Sequence, residues 1–339
     1  MALASSGCGS SSDDSASSTA GASTSTSSQD LPGKGKTVTQ VYNSSIAESY
    51  WGDIVQMGLE KLGYEAEKPV ILSGPASYLA VGNGDATFMA DSWRPLQDPL
   101  FNKISDRAER LGTVISGAAQ GYQIDKATAD KYNIRFLEQL KDPELAKLFD
   151  FTGDGKADIV GCQPGWSCGD IVDHHIKAYG LEDTVSQVVV GDYFAAFADV
   201  MARQKAGKPV LYYTWTPNWT PAVLEPGKDV EWLQVHHGNC PDDPECDTRV
   251  GDLDTGWQIN DNVVVANKKF LADNPVAKTL LETTDKLGFT LDDANQEYLV
   301  IKDRPGTTDK DVREDAAKWV DAHKEAVDAW VDAALKSQS

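Results

Sequence analysis

The sequence predicts an α/β protein whose strands are mostly parallel. Strand-like segments alternate along the chain with segments in which apolar residues recur at helical spacing, a pattern typical of layered α/β domains. The chain has 339 residues, of which 41% are hydrophobic and 24% are charged, so it is long enough for two domains with a sizeable core. The predicted strands cover residues 37–42, 68–73, 86–90, 157–161, 186–190, 209–214, 231–235 and 261–266.

The first predicted helix has a recognisable start, an apolar stripe and a recognisable end. It begins near Ser45, because Ser45 and Glu48 have the spacing of a capping box, and it ends before Gly63. Its apolar stripe consists of Ile46, Trp51, Ile54, Val55, Leu59 and Leu62. Further helical patterns cover residues 76–81, 170–179, 193–204 and most of the chain from residue 275. In the last helices Trp319 and Trp330 fall on the apolar stripe, so we interpret both as core residues.

The charge of the chain excludes several kinds of partner. A formal net charge of −21 would repel the phosphate groups of DNA, RNA and anionic lipid, so we expect no nucleic-acid partner. We interpret the charge as a source of solubility, because no block of like charges is long enough to form an acidic binding surface. No run approaches the roughly 20 apolar residues that a membrane-spanning helix needs.

The N-terminal segment resembles the end of a bacterial lipoprotein signal, because small residues from Ala2 to Gly7 precede Cys8. Residues 9–30 are almost entirely Ser, Thr, Gly, Ala and Asp, a composition that cannot bury enough apolar surface to fold. Residues 1–30 are therefore predicted to be a lipoprotein-like N-terminus and a flexible linker. A lipid anchor at Cys8 would be the only membrane contact of an extracytoplasmic body, periplasmic or at the cell surface. The alternative is an incidental cysteine in a disordered tail.

The other four cysteines form two closely spaced pairs. Cys162 and Cys168 lie six residues apart, as do Cys240 and Cys246. In an exported chain such pairs predict two local disulfides. Each closes a small ring, for which chain entropy gives about 2 kcal/mol of stabilisation at most. The expected benefit is therefore local rigidity of the loop rather than global stability.

Three weaker interpretations involve catalysis or metal. One is a thiol nucleophile with a histidine base, formed by Cys168 with His174 or His175. A second is zinc, with the donors His236, His237, Cys240 and Cys246. A third is calcium, bound by a partial loop motif of Asp150, Thr152, Asp154, Gly155 and Asp158. Disulfides in an oxidising compartment outweigh the first two, and the calcium motif has Gly161 where it needs a glutamate. We therefore expect no catalytic residue, metal or cofactor.

Three tryptophans share one kind of position, at the carboxyl end of a predicted strand. Trp93 follows strand 86–90, Trp166 follows strand 157–161, and Trp215 ends the run that begins at residue 209. Ligands of open α/β sheets bind outside the carboxyl ends of strands. Three indoles there would suit a trimethylammonium group, which has a permanent charge and no N–H to donate. Indole faces attract such a cation while covering its methyl groups.

The segment from Trp166 to Asp170 supplies a second feature of this region, because it opens the predicted helix 170–179. Free backbone N–H groups at a helix N-terminus bind anions. Asp170 and Asp173 we interpret only as acids that complement the helix dipole. A carboxylate at the helix and a quaternary ammonium among the indoles would together describe a betaine.

Six segments of the chain are recognisable together: Leu31–Lys36, Gly84–Phe88, Gly117–Tyr122, Gly153–Asp158, Pro164–Trp166 and Tyr212–Pro217. They resemble the corresponding segments of a known family, the glycine betaine/proline betaine-binding proteins of osmoprotectant ABC transporters. The resemblance extends from about residue 31 to the C-terminus. It implies a type II periplasmic-binding-protein fold, in which two α/β lobes joined by two crossovers close on a ligand in the cleft between them.

The resemblance also implies a domain organisation and partners. With crossovers near 118–124 and 236–240, lobe one comprises 36–118 plus 240–339 and lobe two comprises 119–239. The implied partners are a small quaternary-ammonium ligand and the permease subunits of an ABC importer, and the protein is expected to be a monomer. Choline, carnitine and dimethylsulfoniopropionate are alternative ligands, and an extracellular enzyme acting on quaternary amines is a third hypothesis.

The family's site residues map onto this chain individually. Its ammonium box matches Trp93, Trp166 and Trp215; its carboxylate-binding amides match Ser167 and Cys168; and its short disulfide matches Cys162 with Cys168. Where a resembling protein has a histidine near the carboxylate, this chain has Gln97, and the Cys240–Cys246 loop has no counterpart. Because glutamine does not titrate, we expect binding to depend little on pH between about 5.5 and 8.

Overall fold

Strands and helices alternate along most of the folded chain. The computed structural model describes residues 31–43, 45–236, 238 and 247–337. The strands are β1 (Thr37–Val38), β2 (Val41–Asn43), β3 (Glu65–Ala66), β4 (Val70–Leu72), β5 (Phe88–Arg94), β6 (Ala108–Ala118), β7 (Gln120–Asp125), β8 (Ala157–Val160), β9 (Val185–Val188), β10 (Leu211–Trp215), β11 (Val230–Trp232), β12 (Arg249–Val250), β13 (Leu253–Asp254) and β14 (Asn260–Asn267). The helices are α1 (Ser49–Lys61), α2 (Gly74–Asn83), α3 (Asp98–Asn102), α4 (Lys126–Tyr132), α5 (Pro143–Ala146), α6 (Cys168–Ala178), α7 (Tyr193–Lys205), α8 (Thr220–Val223), α9 (Lys268–Asp273), α10 (Pro275–Glu282), α11 (Leu291–Lys302), α12 (Asp309–Ala322) and α13 (Lys324–Lys336), with 3-10 turns at Ile46–Glu48, Leu137–Lys141, Lys147–Phe149 and Thr284–Leu287.

Two larger sheets organise these elements, and the predicted α/β class is confirmed. The five-stranded sheet has the order β11–β7–β10–β8–β9, and the three-stranded sheet has the order β5–β14–β6. Short parallel pairs join β1 to β3 and β2 to β4, and β12 and β13 form a hairpin. An isolated parallel bridge between Gln40 and Phe88 brings the segment that carries β1 and β2 next to β5.

The direction of the strands differs from the expectation of a mostly parallel sheet. In the three-stranded sheet β14 is antiparallel to both neighbours. In the five-stranded sheet β8, β9 and β10 are parallel, whereas β7 is antiparallel to β10 and β11. The antiparallel strands β7 and β14 are the ones that follow each passage of the chain between the two sheets. Each of these two strands enters its sheet from the other sheet and not through a helical crossover within one sheet. Parallel neighbours need such a crossover, so a strand that arrives without one can be antiparallel.

The two sheets are connected at one place by a single residue. Strand β6 ends at Ala118 in the three-stranded sheet, and β7 begins at Gln120 in the five-stranded sheet. The return passage lies beside it, because Asn260 at the start of β14 pairs with Ala118. Before that return, the chain around Gly256 still contacts the five-stranded sheet's helix α6, where the Gly256 carbonyl lies 3.1 Å from Nε2 of His175.

The C-terminal helices pack against α1 through tryptophans. Trp330 is buried, and its indole Nε1 donates to the carbonyl of Leu280 at 2.9 Å. A side chain at Gly58 of α1 would collide with the Trp330 ring, because an added Cβ would lie 2.2 Å from it. Trp319 is also buried and donates to Asp293 at 3.0 Å. Within the described part of the chain, no helix combines the length and the apolar character needed to cross a membrane.

Candidate functional site

One cavity collects most of the residues that the sequence predicts as a site. It contains about 490 Å³ of space not occupied by protein, including its opening to solvent, which is within the range of small-molecule sites. The predicted residues that line it are Trp93, Gln97, Trp166, Cys168 and Trp215. The other lining residues are Asn43, Glu48, Gly74, Leu96, Gln120, Gly165 and Tyr213. Ser167, although predicted, is not among them.

Two indoles on the side of the five-stranded sheet form a rigid corner. The rings of Trp166 and Trp215 are nearly perpendicular, at 89°, with centroids 5.1 Å apart. Tyr193 supports both from α7, at 4.6 Å from Trp215 and 5.8 Å from Trp166. The Tyr193 hydroxyl in turn donates to the carbonyl of Tyr213 at 2.7 Å. Because each ring packs edge or face against another, the corner is held before any ligand enters.

Trp93 faces the cavity from the three-stranded sheet. It lies within β5, which runs to Arg94, and not after a strand ending at residue 90 as predicted. Its backbone N–H donates to Oε1 of Gln97 at 3.0 Å, and the Tyr78 hydroxyl donates to the same oxygen at 3.0 Å. Since a backbone N–H can only donate, the accepting atom of Gln97 must be Oε1. The remaining Nε2 donor of Gln97 is then free to face the cavity that this residue lines.

The N-terminus of α6 reaches the cavity at Cys168, the first residue of the helix. Cys168 forms the predicted disulfide with Cys162, which closes the loop that carries Trp166. Its sulfur is therefore not available as the thiol nucleophile considered above. Ser167 is the N-cap residue of α6 and its side chain makes no capping hydrogen bond. A helix start with unpaired N–H groups is suited to an anion.

A glutamine at the start of β7 adds a further donor. Gln120 is buried, and its Oε1 accepts a hydrogen bond of 2.6 Å from the Tyr213 hydroxyl. Its Nε2 has no hydrogen-bond partner among the described residues. A buried donor without a partner costs free energy, typically about 1–3 kcal/mol. In a residue that lines a cavity, such a group is explained most simply by a ligand or water that accepts from it.

A carboxyl group, Glu48, lies on the cavity wall at the end of the 3-10 turn before α1. Burial and then the negative charge of Asp91 raise the pKa of Glu48 well above its ordinary range. Burial also raises the pKa of Asp91, to about 6, although two hydrogen bonds from Asn43 oppose the change. Among the described residues that line the cavity there is no lysine, arginine or histidine. The cavity is therefore electrostatically suited to a cation.

Sequence reasoning missed these polar residues for two different reasons. Glu48 has capping-box spacing with Ser45, so its position in the sequence was already explained by a local role. Gln120 belongs to the segment Gly117–Tyr122 that carries the family resemblance, and that segment was the signal that could have identified it. Asn43 ends the short strand β2 and Gly74 begins α2, in a part of the chain where the sequence shows no motif of a binding site.

Of the metal candidates, the acidic loop is fully described. Carboxylate oxygens of Asp150, Asp154 and Asp158 lie within 4.8 Å of one another. They accept backbone hydrogen bonds from their own loop, for example Asp158 from the N–H of Thr152 at 2.6 Å and Asp150 from that of Gly155 at 2.9 Å. These bonds explain the convergence of the acids through the turn itself.

The zinc candidate is only partly described, since His237, Cys240 and Cys246 lie outside the described residues. The same holds for the predicted Cys240–Cys246 disulfide and for the predicted lipid anchor Cys8. Nδ1 of His236 lies 3.8 Å from Oδ2 of Asp254. Of the two histidines considered as a base for Cys168, His175 is buried, and its Nδ1 lies 2.8 Å from the Tyr122 hydroxyl.

The fold and the cavity define a two-lobed α/β substrate-binding protein. Comparison with known proteins identifies the family: residues 36–322 match the model for the substrate-binding domain of ABC-type glycine betaine transport systems. The chain belongs to this family, and the resemblance predicted from its motifs is confirmed. It is 43% identical over 309 residues to the glycine betaine-binding periplasmic protein OusX of Dickeya dadantii, covering 90% of this chain and 92% of that protein. It is 41% identical over 312 residues to the glycine betaine/proline betaine-binding periplasmic protein of Escherichia coli, covering 91% and 93%.

Solved structures confirm the type of fold. A lactococcal OpuAC in a closed, glycine betaine-bound conformation superposes with a TM-score of 0.65 at 20% identity, covering 87% of this chain and 99% of that one. An ABC-transporter choline-binding protein in complex with choline gives a TM-score of 0.65 at 18% identity, covering 89% and 97%.

Proposed function

We propose that this protein captures glycine betaine or proline betaine outside the cytoplasmic membrane and delivers it to the permease of an ABC importer, and that it is not an enzyme. The observation that carries the proposal is the cavity in which three indoles meet the N-terminus of α6. The periplasmic relatives from Dickeya dadantii and Escherichia coli are named for these ligands. Retention of a solute under osmotic stress is the physiological role that such an importer would serve.

The indoles would hold the quaternary ammonium. A trimethylammonium group cannot be recognised by hydrogen bonds, so the available interactions are its charge and its methyl surface. The perpendicular faces of Trp166 and Trp215 offer two walls, and Trp93 offers a third from the other sheet. Each indole face contributes about 0.5–2 kcal/mol, and more when the site excludes water.

The carboxylate of the ligand would lie toward α6. The backbone N–H groups of Ser167 and Cys168 are the proposed donors, assisted by the helix dipole. From the opposite side Gln97 would donate through Nε2, since its Oε1 already accepts from Trp93 and Tyr78. The unpartnered Nε2 of Gln120 is a further candidate donor.

Ligand would bridge the two lobes and stabilise their closed arrangement. We propose that lobe one contains Trp93 and Gln97, and that lobe two contains Trp166 and Trp215. The first crossover is proposed at Ala119, between β6 and β7. The predicted second crossover near 236–240 stays a prediction, and the pairing of Asn260 with Ala118 supports placing it closer to β14. A ligand that contacts both lobes binds the closed state better and shifts the population toward it.

The proposal for the N-terminus and the second cysteine pair rests on sequence alone. A diacylglyceryl group on Cys8 would tether the protein to the membrane through residues 9–30, and a disulfide would join Cys240 to Cys246. Mass spectrometry of a native membrane fraction and peptide mapping without reductant test these two points. An unmodified Cys8 in a protein released to the soluble fraction would overturn the lipid anchor. Free thiols at Cys240 and Cys246 would overturn the disulfide.

Calorimetry with a panel of ligands tests the proposed function. We expect one site per chain for glycine betaine, accompanied by a change in tryptophan fluorescence. Glycine lacks the methyl groups and keeps hydrated N–H donors, so it should compete at least about a hundredfold less well. Proline betaine, choline, carnitine and dimethylsulfoniopropionate complete the panel. Choline alone among them lacks a carboxylate, so its affinity shows how much the carboxylate contributes to binding. Equal binding of glycine and glycine betaine would overturn the box, and turnover of a bound ligand would overturn the assignment as a non-enzyme.

A further inference from the structure

Two buried carboxyl groups, Glu48 and Asp91, lie next to each other, and Glu48 lines the cavity. Glu48 ends the 3-10 turn that precedes α1, and Asp91 lies in the middle of β5. They are 8% and 1% exposed. Asp91 uses one oxygen, Oδ2, to accept from both the backbone N–H and the side-chain Nδ2 of Asn43, each at 2.8 Å. Its other oxygen, Oδ1, has no hydrogen-bond donor among the residues that the structure describes, and neither has Oε2 of Glu48.

One shared proton would satisfy both unpartnered oxygens. Two ionised carboxylates side by side in a buried position would repel each other, whereas a carboxyl that donates to a carboxylate forms a strong hydrogen bond. The effects of the two groups on each other agree with one shared proton. Asp91 raises the pKa of Glu48, which favours the proton on Glu48, whereas the hydrogen bond with Glu48 lowers the pKa of Asp91. The pair then carries one negative charge near neutral pH.

No cation of the protein compensates that charge in the described structure. The groups that face the pair from neighbouring elements are Asn43 and Tyr42 on β2, Tyr78 on α2 and Tyr298 on α11. Behind Tyr42 lie two further acids, Asp53 on α1 and Asp309 on α12. Neither Glu48 nor Asp91 has a basic residue among the groups that influence its pKa. The side of the pair that remains is the cavity, which Glu48 lines together with the indoles.

We propose that Glu48 and Asp91 act as one proton-sharing acid pair whose single negative charge attracts the ligand's cation, so that a quaternary ammonium and a second proton compete for the pair. This proposal rests on the proposed function, because it concerns the cationic part of the same ligand. It assigns a specificity role to two residues outside the indole box. It also gives the cavity a titrating group, which the expectation of pH-independent binding did not include.

The competition has a definite sign. As pH falls through about 6, Asp91 takes up the second proton and the pair becomes neutral, so cation affinity should fall toward acidic pH. If only the protein with the ionised pair bound ligand, affinity would be about tenfold lower at pH 5 than at pH 7.5, by the linkage of one proton to binding. A loss of roughly three- to tenfold is therefore expected. Binding should release close to half a proton per ligand near pH 6.

The experiment is calorimetry of the full chain with glycine betaine and with choline, in buffers of different ionisation enthalpy, between pH 5 and pH 7.5. Both ligands carry a permanent cation, so both should show the proton release and the acidic loss of affinity. The double variant Glu48→Gln/Asp91→Asn keeps the shape of the pair without its charge, and it should bind more weakly at pH 7.5 and release no proton. Glu297→Gln is the matched control, since Glu297 is a buried carboxyl that does not line the cavity; its pH profile should follow the wild type.

The outcomes separate this proposal from the proposed function. If neither ligand binds at any pH, the proposed function fails. If both bind to the wild type with constant affinity and without proton exchange, the acid pair is structural and this proposal is overturned. The wild-type measurement alone decides the matter if the double variant does not fold.

Discussion

The two sides of the cavity are built by different interactions. On the side of the five-stranded sheet, Trp166, Trp215 and Tyr193 hold one another through ring contacts between 4.6 and 5.8 Å. On the side of the three-stranded sheet, Trp93 is accompanied by hydrogen-bonded amides and by the Glu48–Asp91 pair. The first side offers apolar surface in a fixed geometry beside the donors of α6 and Gln120, and the second offers a third indole, the Gln97 amide and the acid pair. The difference suggests that the aromatic corner determines how tightly a methylated cation binds, whereas the polar side determines which one.

The largest effect should come from the aromatic corner. Trp166→Ala and Trp215→Ala each remove one indole face, so each should weaken glycine betaine binding about five- to thirtyfold, corresponding to about 1–2 kcal/mol. Trp93→Ala should weaken it by a similar factor. Calorimetry at pH 7.5 measures these changes.

Trp319→Ala is the control for the tryptophan variants. Trp319 packs at 5.3 Å against Phe289, away from the cavity residues, so its loss should lower the free energy of unfolding by about 3–5 kcal/mol and leave affinity unchanged. A folded Trp319→Ala protein that no longer binds ligand would show that the roles of core and box tryptophans are wrongly assigned.

The next effect should discriminate between ligands. Gln97→Ala removes a donor proposed to contact a carboxylate, so it should weaken glycine betaine roughly three- to tenfold, the value of about one ordinary hydrogen bond. Choline has no carboxylate and should lose less than betaine. An equal loss for both would mean that Gln97 acts only by positioning Trp93, to whose N–H it is bonded.

A smaller effect should follow removal of the disulfide. Cys162→Ser/Cys168→Ser frees the loop that carries Trp166, and chain entropy puts its contribution to the free energy of unfolding at about 2 kcal/mol. Affinity should fall a few fold because the corner loses part of its preorganisation. Denaturant unfolding and calorimetry on the same preparation separate the two effects. An unchanged affinity would mean that the ring contacts of Trp166 with Tyr193 and Trp215 keep it in place without the disulfide.

The smallest effect concerns the pH dependence of stability, at two buried carboxyl groups that do not line the cavity. Burial raises the pKa of Asp53 to about 7 and that of Glu297 to about 8. A carboxyl whose folded pKa exceeds its unfolded pKa stabilises the fold while it is protonated, and this contribution is lost as pH rises through the folded value. The Tm should therefore be a few degrees higher at pH 6 than at pH 8.5. Scanning calorimetry of wild type and Glu297→Gln tests this, and a Tm that rises with pH over that window would contradict it.

The sequence predicts the three indoles of the cavity better than its polar groups. Trp93, Trp166 and Trp215 could be grouped because all three lie at carboxyl ends of strands, and the chemistry of indole limits what such a group binds. The Glu48–Asp91 pair could not be predicted, because its members are far apart in the chain and Glu48 already had a local explanation as a capping residue. Their role as ligand contacts stays a prediction for all of these residues.

The strands that connect the two sheets were also hard to predict. Strand β6 contains Gly112 and Gly117 and two charged residues within Ala108–Ala118, which interrupt the alternation of apolar and polar residues. Strand β7 is buried along its whole length although its sequence is half polar, since Gln120 and Gln123 bond to tyrosine hydroxyls of β10. Such pairing depends on residues about 90 positions away, which no local pattern contains.

The single-residue connection at Ala119 has a consequence for the kinetics of binding. Its N–H donates to Oγ1 of Thr216 at 3.1 Å and its carbonyl accepts from the Thr216 N–H at 2.8 Å, so the connection is fixed beside Trp215. In a rigid rotation, each atom moves in proportion to its distance from the pivot. If the proposed lobes rotate about Ala119, Gln120 and its strand partner Trp215 adjoin the pivot and would be displaced little. They would then already be in place at the first encounter with a ligand, and the residues farther from Ala119 would govern how slowly the ligand leaves.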